Sequence, residues 1–390
     1  MSRELFSRNA DLTRLRDEGY VVALVGGFLV MREVPYVDAR EQVRTGTLIS
    51  NLDLAGDDTK RPETHVAYWA GDFPSSADGA RINAISHPQG MFDLGHGFSA
   101  THGLSSQPVG GYTDYYHKMT SYATIIAGPA AVLRPGATPR VFREPEEEEL
   151  SVFNYVETAS DRVGIGALSA RLKSERVAII GGGGTGSYIL DLVAKTPVQQ
   201  ISVFDGDDFL THNAFRAPGA PNLEELRTCP KKVDYLKKIY GRMHRNIVVY
   251  DFALDARNVH LLEGVTFAFL SLDAGAAKLA VVEKLEAIGA SFVDVGMGLE
   301  LDEGSLGGIL RVTASTPENR NQFRARVSFA GGGEENLYAS NIQVADLNAL
   351  NAAYAVVKWK KMRGFYRDLE REGHSTYTTD GNMLINSDVP

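Results

Sequence analysis

The chain has 390 residues, 44% of them hydrophobic and 23% charged, a composition typical of folded proteins and a length sufficient for two domains. Its formal net charge of −9 argues against a surface that coats nucleic acid, because such surfaces depend on clustered lysine and arginine. The longest apolar stretch, from Tyr122, is interrupted by Gly128 and Pro129 and is too short to span a bilayer. The start of the sequence lacks a signal-peptide core, so we expect a cytoplasmic protein whose partners are small molecules or proteins.

Residues 1–145 have the pattern of a β-rich α+β module. GYVVALVGGFLVMREV predicts two strands joined at Gly26 and Gly27, because two glycines between apolar runs favour a two-residue hairpin. Further short apolar runs, HVAYWAG, YATIIAG and AAVLRPG, alternate with clusters of turn-forming residues. REPEEEEL (143–150) combines a proline with a run of like charge, which predicts a domain boundary and is also compatible with an acidic first helical turn.

Histidines of this module invite a metal interpretation, but none of them forms a compact ligand pair on a firm helix. We therefore expect hydrogen-bonded imidazoles in a glycine-rich loop rather than a metal site. Aromatic residues in GGYTDYYHKMTSYA are compatible either with a core or with a protein-binding face. The histidines are His65, His87, His96, His102 and His117.

Between residues 150 and 365 the pattern changes to alternating strands and helices. RVAII (176–180) and ISVF (201–204) bracket one helix, and TFAFL (266–270) and SFVDV (291–295) bracket a second. Repeated βαβ units predict a Rossmann-like parallel sheet covered on both faces. The predicted fold class is thus an α/β domain with a parallel sheet, preceded by the smaller β-rich module.

Two helices of the second domain carry an apolar stripe at helical spacing. AAKLAVVEKLEAIG ends at the stop signal Gly289, and VADLNALNAAYAVVKWKK (344–361) has a stripe that we expect to pack in the core. Residues 366–390 are expected to form a C-terminal tail. The stripes consist of Leu279, Val282, Leu285 and Ile288 in the first helix and Leu347, Leu350, Tyr354 and Val357 in the second.

A glycine-rich turn, GGGGTG, joins the first strand of the predicted sheet to its helix. Glycines let the backbone approach a phosphate closely, and the helix that follows offers free N–H groups and the positive end of its dipole. Asp205 ends the second strand, where a carboxylate accepts hydrogen bonds from ribose hydroxyls. A nicotinamide-dependent oxidoreductase has the same pattern up to this point.

The residues that follow discriminate between these chemistries. Hydride transfer needs none of them, whereas a triphosphate attacked at its α-phosphorus needs a lysine and an arginine for its charge and a carboxylate for Mg²⁺. Asp207 has two equal interpretations, a direct role or a cap for the turn after the strand. The sequence offers Asp207, then Asn213 and Arg216 spaced as NxxR, then Lys232, then Asp273 at the end of a strand.

The order GxGGxG, DxD, NxxR, KV and a strand-terminal aspartate resembles the ThiF-like adenylyltransferase family, which includes the ubiquitin-activating enzymes and the activators of sulfur-carrier proteins. The resemblance covers roughly residues 150–315. GGTGSYILDLVAKTPV, HNAFRAPGA and ADLNALNAAYAVVKWKK are similar to the bacterial branch associated with ubiquitination-like operons. The resemblance implies ATP and Mg²⁺ as cofactors, adenylation of the C-terminal carboxylate of a ubiquitin-like protein, and a homodimer.

The resemblance also implies roles for individual residues. Asp205 would hold the ribose, Asn213, Arg216 and Lys232 would contact phosphates, and Asp273 would bind Mg²⁺. Arg162, which precedes the first strand, would reach the γ-phosphate of the nucleotide bound by the partner subunit. A lone arginine at such a position more often forms a surface ion pair. The remaining nucleotide-lining residues would be Gly181, Gly183, Gly184, Gly186 and Asp207.

Many members of this family move the acyl group onto their own cysteine, and this sequence departs from that pattern. Its single cysteine, Cys229, lies among cations that can activate a thiol but outside the family's place for the transfer cysteine, where the chain reads GMGLELDEGSLGG. We expect an incidental thiol. The enzyme then stops at the adenylate, hands the acyl group to a conjugating-type partner protein, or uses a hydroxyl such as Ser305.

Other residues near these motifs have further interpretations. Lys231 is expected to be a solvated neighbour of Lys232, Lys278 touches phosphate or coats its helix, and Asp294 caps a strand or lines the site. Gly331–Gly333 read as a flexible loop. Two other classes of function compete with adenylation, a nicotinamide-dependent oxidoreductase and a non-catalytic scaffold. The module at 1–145 is expected to recruit the ubiquitin-like protein or its next carrier.

Overall fold

The computed structural model describes residues 2–95, 98–143, 151–155, 157, 165–330 and 342–388. The chain divides into two compact units, residues 1–170 and 171–390. Four features singled out in the sequence lie outside the described residues: His96, the acidic run from residue 144 to 150, Arg162 and Gly331–Gly333.

Among the described residues, the first unit consists of a six-stranded sheet, a two-stranded ribbon, a 3₁₀ turn at Asn83–Ile85 and four helices. The sheet has the strand order β1-β2-β3-β6-β8-β7, and every neighbouring pair is antiparallel. The described elements are α1 Ser2–Arg8, α2 Ala10–Asp17, β1 Val21–Val25, β2 Phe28–Val37, β3 Val43–Asn51, β4 Leu54–Ala55, β5 Asp58–Thr59, β6 Val66–Ala70, β7 Ser86–Gly95, β8 Phe98–Ser105, α3 Tyr115–Leu133 and α4 Gly166–Ala170.

The predicted hairpin is confirmed, since Val25 pairs with Phe28 and Gly26 adopts φ +58° in the two-residue turn. The runs YATIIAG and AAVLRPG, expected as short apolar segments between turns, instead lie in the long helix α3 up to Leu133. This helix begins where the Asp114 carboxylate accepts a hydrogen bond from the backbone of His117 at 2.7 Å.

The aromatic residues of GGYTDYYHKMTSYA belong largely to the core of the first unit. Tyr115 and Tyr122 are fully buried on the sheet-facing side of α3 and satisfy their hydroxyls inside the unit. Lys118 lies between them, is also fully buried, and donates to the carbonyls of Thr64 and Val66 at 2.9 and 2.8 Å. The core interpretation of this segment is therefore the one that the structure supports.

The second unit is built on an eight-stranded sheet with the order β11-β10-β9-β12-β13-β14-β15-β16. The first five of these strands are parallel and the last three join antiparallel. The elements are β9 Arg176–Ile180, α5 Gly184–Val193, β10 Gln200–Phe204, α6 Thr211–Ala214, α7 Leu223–Arg227, α8 Lys232–Tyr240, β11 Ile247–Tyr250, a 3₁₀ turn Val259–Leu262, β12 Phe267–Leu270, α9 Ala276–Ala287, β13 Ser291–Asp302, β14 Ser305–Ser315, α10 Arg320–Arg326, α11 Ala345–Met362, β15 His374–Thr378 and β16 Met383–Ser387.

The predicted fold class is confirmed: a β-rich α+β unit is followed by a Rossmann-like α/β unit. If the parallel strands β9 to β13 are numbered 1 to 5 in chain order, their order across the sheet is 3-2-1-4-5. The strand order therefore reverses between β9 and β12. Residues 366–390, expected to form a tail, instead contribute β15 and β16 to the sheet. Strand β13 also continues beyond the predicted SFVDV to Asp302, because it pairs along its length with β14.

Helix α11 turns a different face inward from the one expected. Its apolar stripe was expected in the core, yet Val357 is 39% exposed, whereas Asn348, Asn351 and Trp359 are buried. This face packs on α5 and on β13 and β14. Small and polar residues can line it because α5 offers Gly184 at the closest approach, where a side chain would collide with Asn348.

Among the described residues, every helix is too short or too polar to cross a membrane.

Candidate functional site

A glycine turn between β9 and α5 forms the floor of the site. Gly181 adopts φ +96°, and a Cβ built there would collide with the carbonyl oxygen of Ser271, in the loop after β12. A Cβ on Gly186 would collide with the carbonyl of Gly181 itself. Gly183, by contrast, faces open space with no atom within 4 Å of the position of a Cβ. The turn is therefore locked by its own packing at two glycines and leaves room for a ligand at the third.

This turn and the loop after β12 meet where the strand order reverses. Ser271 continues the β9–β12 ladder by donating from its backbone to the carbonyl of Ile180 at 2.8 Å. In open α/β sheets, ligands bind in the crevice at the carboxyl ends of the strands next to such a reversal. The first turn of α5, which begins after Gly183, has N–H groups without partners inside the helix and no side-chain cap at Gly183.

Asp205, directly after β10, organises the turn. One carboxylate oxygen accepts the backbone N–H of Gly182 at 2.7 Å, and the other accepts that of Asp207 at 2.9 Å. The side chain is only 9% exposed. The structure therefore places Asp205 against the glycine turn, as the spacing in the sequence predicts, with both oxygens already engaged by backbone donors.

Lys232 and Asp207 form a pair beside Asp205. The Lys232 ammonium lies 2.6 Å from Asp207 and 3.6 Å from Asp205, at the first residue of α8. Lys232 is 7% exposed as a residue, whereas the Asp207 side chain is 75% exposed. Asp207 is thus more than a cap, since it contacts the lysine. Lys231 points elsewhere and pairs with Asp208 at 2.9 Å.

Asn213 and Arg216 lie on the short helix α6 and the residues after it. The Asn213 side chain is buried and accepts the backbone N–H of Leu210 at 2.8 Å, so it fixes the local turn. The Arg216 guanidinium has a buried Nε with no hydrogen-bond partner among the described residues. Burial lowers the pKa of Arg216, and the nearby Asp207 carboxylate partly offsets this effect. A partly desolvated, incompletely paired guanidinium is suited to receiving an anion.

Asp273 lies in the loop between β12 and α9. It is exposed and makes no hydrogen bond or ion pair with the described part of the chain. No group of three or more metal-ligating side chains occurs among the described residues. A single free carboxylate fits Mg²⁺, which proteins usually hold through one or two carboxylates together with substrate phosphates and water.

Lys278 and Asp294 do not act as the sequence suggested. The Lys278 side chain is only 4% exposed, because its ammonium lies 2.5 Å from the buried Asp294 carboxylate. Asp294 is itself fully buried and also receives Arg311 at 2.7 Å, so it bridges two cations rather than capping a strand. Lys278 also donates to the carbonyl of Leu272 at 3.2 Å, which anchors the backbone next to Asp273.

The structure also describes the two side chains considered as acyl carriers, Cys229 and Ser305. Cys229 is exposed, adopts φ +44° and places its Sγ 3.6 Å from the carbonyl of Leu226. Ser305 begins β14 at its hairpin with β13.

In the first unit, His102 packs edge-on against Phe73 and His117 against Tyr112.

One residue of the site was missed in the sequence. Asn348, on α11, contacts both the glycine helix and the Arg216 segment. The only signal was its position in ADLNALNAAY, where an asparagine recurs after three residues beside the apolar stripe. That Asn348 faces inward can be predicted only once the close approach of α5 is known.

The strand order and the glycine turn at its reversal define the class of nucleotide-binding α/β proteins. Residues 160–309 match the ThiF family, which confirms the resemblance seen in the sequence over that segment. Residues 10–158 match a domain of unknown function, DUF6791. Among curated proteins, none matches the chain.

Solved structures with similarity to part of the chain include PaaA and the E. coli protein MccB. PaaA is 18% identical with a TM-score of 0.45, over 58% of this chain and 77% of its own. MccB in complex with MccA-N7isoASN is 15% identical with a TM-score of 0.46, over 60% of this chain and 72% of its own. MccB with ATP is 13% identical with a TM-score of 0.45, over 60% of this chain and 70% of its own.

Proposed function

We propose that the chain is an ATP- and Mg²⁺-dependent adenylyltransferase that activates the C-terminal carboxylate of a ubiquitin-like protein. The observation that carries the proposal is the set of charges around the glycine turn. An incompletely paired Arg216 and a buried Lys232 lie in the connection between β10 and β11, and a free Asp273 lies in the loop after β12, at the carboxyl edge of one parallel sheet. The ThiF match over 160–309 supports the same activity.

The proposed roles follow the position of each side chain. The backbone at Gly183 is open to the ligand and would receive phosphate oxygens together with the N-terminus of α5. Arg216 and Lys232 would neutralise the triphosphate, and Lys232 would exchange its contact with the exposed Asp207 for one with phosphate. Asp205 would accept hydrogen bonds from the ribose hydroxyls while it keeps the turn in place. Asp273 would hold Mg²⁺.

The reaction needs positioning and charge neutralisation more than acid–base chemistry. A carboxylate oxygen of the substrate attacks the α-phosphorus of ATP, the bond from that phosphorus to the bridging oxygen breaks, and pyrophosphate leaves with the electron pair. The product is an acyl-adenylate. Because the attacking carboxylate is already deprotonated at neutral pH, no general base is required. Mg²⁺ supplies charge compensation for the leaving pyrophosphate.

The proposal includes a ubiquitin-like substrate protein, a homodimer and, downstream, a conjugating-type partner. It also includes a pathway without a conventional thioester cysteine, because Cys229 is separated from the Asp273 loop in sequence and sits in a strained turn of its own. The first unit would recruit the protein substrate or its next carrier. These assignments extend the adenylation proposal and are tested with it.

ATP–pyrophosphate exchange by the purified chain, in the presence of a ubiquitin-like protein with a free C-terminal carboxylate, tests the activity. Arg216→Ala and Asp273→Ala are expected to lower the exchange rate by about 100-fold or more, since each removes a charge from the transition state. Arg242→Ala is the matched control, because Arg242 is exposed on the surface after α8. Exchange that persists in both site variants would contradict the roles proposed here.

A nicotinamide-dependent oxidoreductase is the alternative for the same turn. It would leave Arg216, Lys232 and Asp273 without a task. Tight binding of NAD together with no measurable binding of ATP would decide in its favour.

A further inference from the structure

The C-terminal helix α11 contributes a side chain that ties together two parts of the site. Asn348 is fully buried between α11 and the glycine helix α5. Its Oδ1 accepts the hydroxyl of Thr185 at 3.0 Å, and its Nδ2 donates to the backbone carbonyl of Arg216 at 3.2 Å. One amide therefore joins three segments that are far apart in sequence.

The surroundings of Asn348 leave little freedom for this amide. Thr185 is itself only 6% exposed, and the neighbouring Gly184 has no room for a Cβ because Asn348 occupies that space. A buried amide that loses a partner carries the full cost of its desolvation, so both hydrogen bonds are held strongly. The position of α5 and the position of the Arg216 carbonyl are thus coupled through one rigid side chain.

Arg216 needs such an anchor because its own Nε forms no hydrogen bond with the described residues. That nitrogen is buried and has no partner among the described residues. Its backbone N–H donates within the turn to the carbonyl of Asn213 at 3.1 Å, while its carbonyl is fixed from outside the turn by Asn348. The tertiary location of the guanidinium therefore depends on the helix that follows the nucleotide-binding half of the unit.

We propose that Asn348 is a positioning residue that holds Arg216 in register with the glycine turn. The role of the site rests on the adenylation proposal, whereas the coupling of Arg216 to Asn348 does not. A displacement of about 1 Å in a positioned charge can cost about 100-fold in rate. Loss of Asn348 should therefore lower kcat for exchange far more than it raises KM for ATP, because the glycine turn and Asp205 retain the nucleoside end.

The first measurement needs no activity: phenylglyoxal labelling of Arg216 in the ligand-free full chain, read by peptide mass spectrometry. Asn348→Ala should accelerate this labelling by about tenfold, because the turn is released from α11. Asn351→Ala is the matched control, since Asn351 is an equally buried amide one turn along the same helix that donates to Gly296 instead. Labelling of Arg363, held by Glu175 at 2.8 Å, should stay unchanged and so excludes general unfolding.

Asn348→Asp keeps the volume of the side chain and replaces the donor with an oxygen that faces the Arg216 carbonyl. It should accelerate labelling as Asn348→Ala does, and it carries the test if the alanine variant does not fold. Unchanged Arg216 labelling in both variants would overturn the proposal.

Exchange kinetics then separate the two proposals. A wild-type chain with no exchange activity contradicts the adenylation function and leaves the labelling result to decide the coupling. An active wild type whose Asn348→Asp variant keeps its kcat overturns the positioning role alone. A kcat lowered by at least tenfold with KM for ATP within about threefold is the expected result.

Discussion

Asp294 is predicted to be a principal source of stability in the second unit, and Asp294→Asn tests this most sharply. The substitution keeps the shape of the side chain and removes its charge. Asp294 is fully buried between Lys278 at 2.5 Å and Arg311 at 2.7 Å. Arg311 is 25% exposed at its side chain and can be solvated, whereas Lys278 is 4% exposed and would be left as a buried, uncompensated cation.

The magnitude follows from that stranded charge. Removing one partner of a buried ion pair costs about 3–5 kcal/mol. For a unit of this size each kcal/mol lowers the melting temperature by about 2–4 °C, so Asp294→Asn should lower it by about 6–20 °C. The loop that carries Asp273 should loosen too, because Lys278 also holds the carbonyl of Leu272.

Differential scanning calorimetry of the full chain measures this shift. Glu263→Gln is the matched control: Glu263 also lies 2.5 Å from a lysine, Lys284, but its side chain is 72% exposed. An exposed pair contributes about 1 kcal/mol or less, so this control should shift the transition by at most a few degrees. A shift for Asp294→Asn no larger than that of Glu263→Gln would refute the reasoning, because burial would then have made no difference.

Two further predictions concern the glycine turn and the first unit. Gly186→Ala should prevent the second unit from folding normally, because its Cβ collides with the Gly181 carbonyl, and normal folding of this variant would contradict the packing. Gly183→Ala should fold like wild type and weaken ATP binding by about tenfold in calorimetric titration. Burial lowers the pKa of Lys118 from 10.5 to about 8, so between these pH values the unfolded chain holds a proton that the folded chain has lost. The free energy of unfolding of the wild type should therefore rise relative to Lys118→Met as pH increases from about 8 to 10.5, on the order of 3 kcal/mol, and a flat difference in denaturant titrations would show that Lys118 is not desolvated.

Local patterns predicted the parts of the fold that depend on neighbours in sequence. The strands RVAII and ISVF coincide with β9 and the end of β10, and Gly289 ends its helix with φ +73°. These elements follow from hydrophobic periodicity and from the conformations that glycine permits. Helix α3 was missed because Gly128 and Pro129 look like breaks, although the helix continues through both residues.

The parts that could not be predicted depend on contacts between distant segments. The pairing of Lys278 with Asp294 becomes evident only when α9 lies over β13. The inward face of α11 combines the buried Val356 and Trp359 with Asn348, which fits only because Gly184 has no side chain. Within the candidate site, the motif spacing identified Asp205, Lys232 and Arg216, while the anchor Asn348 required the tertiary structure.

ATP–pyrophosphate exchange tests the central claim most directly. It should be measured with the purified chain, with and without a ubiquitin-like protein that has a free C-terminal carboxylate, in the wild type and in Cys229→Ala. We predict exchange that requires the small protein and survives the loss of the exposed Cys229 thiol. A thiol-sensitive covalent adduct between the small protein and the wild-type chain that is lost in Cys229→Ala would make this cysteine the acyl carrier and contradict a pathway without a thioester. No exchange in the wild type would contradict adenylation itself.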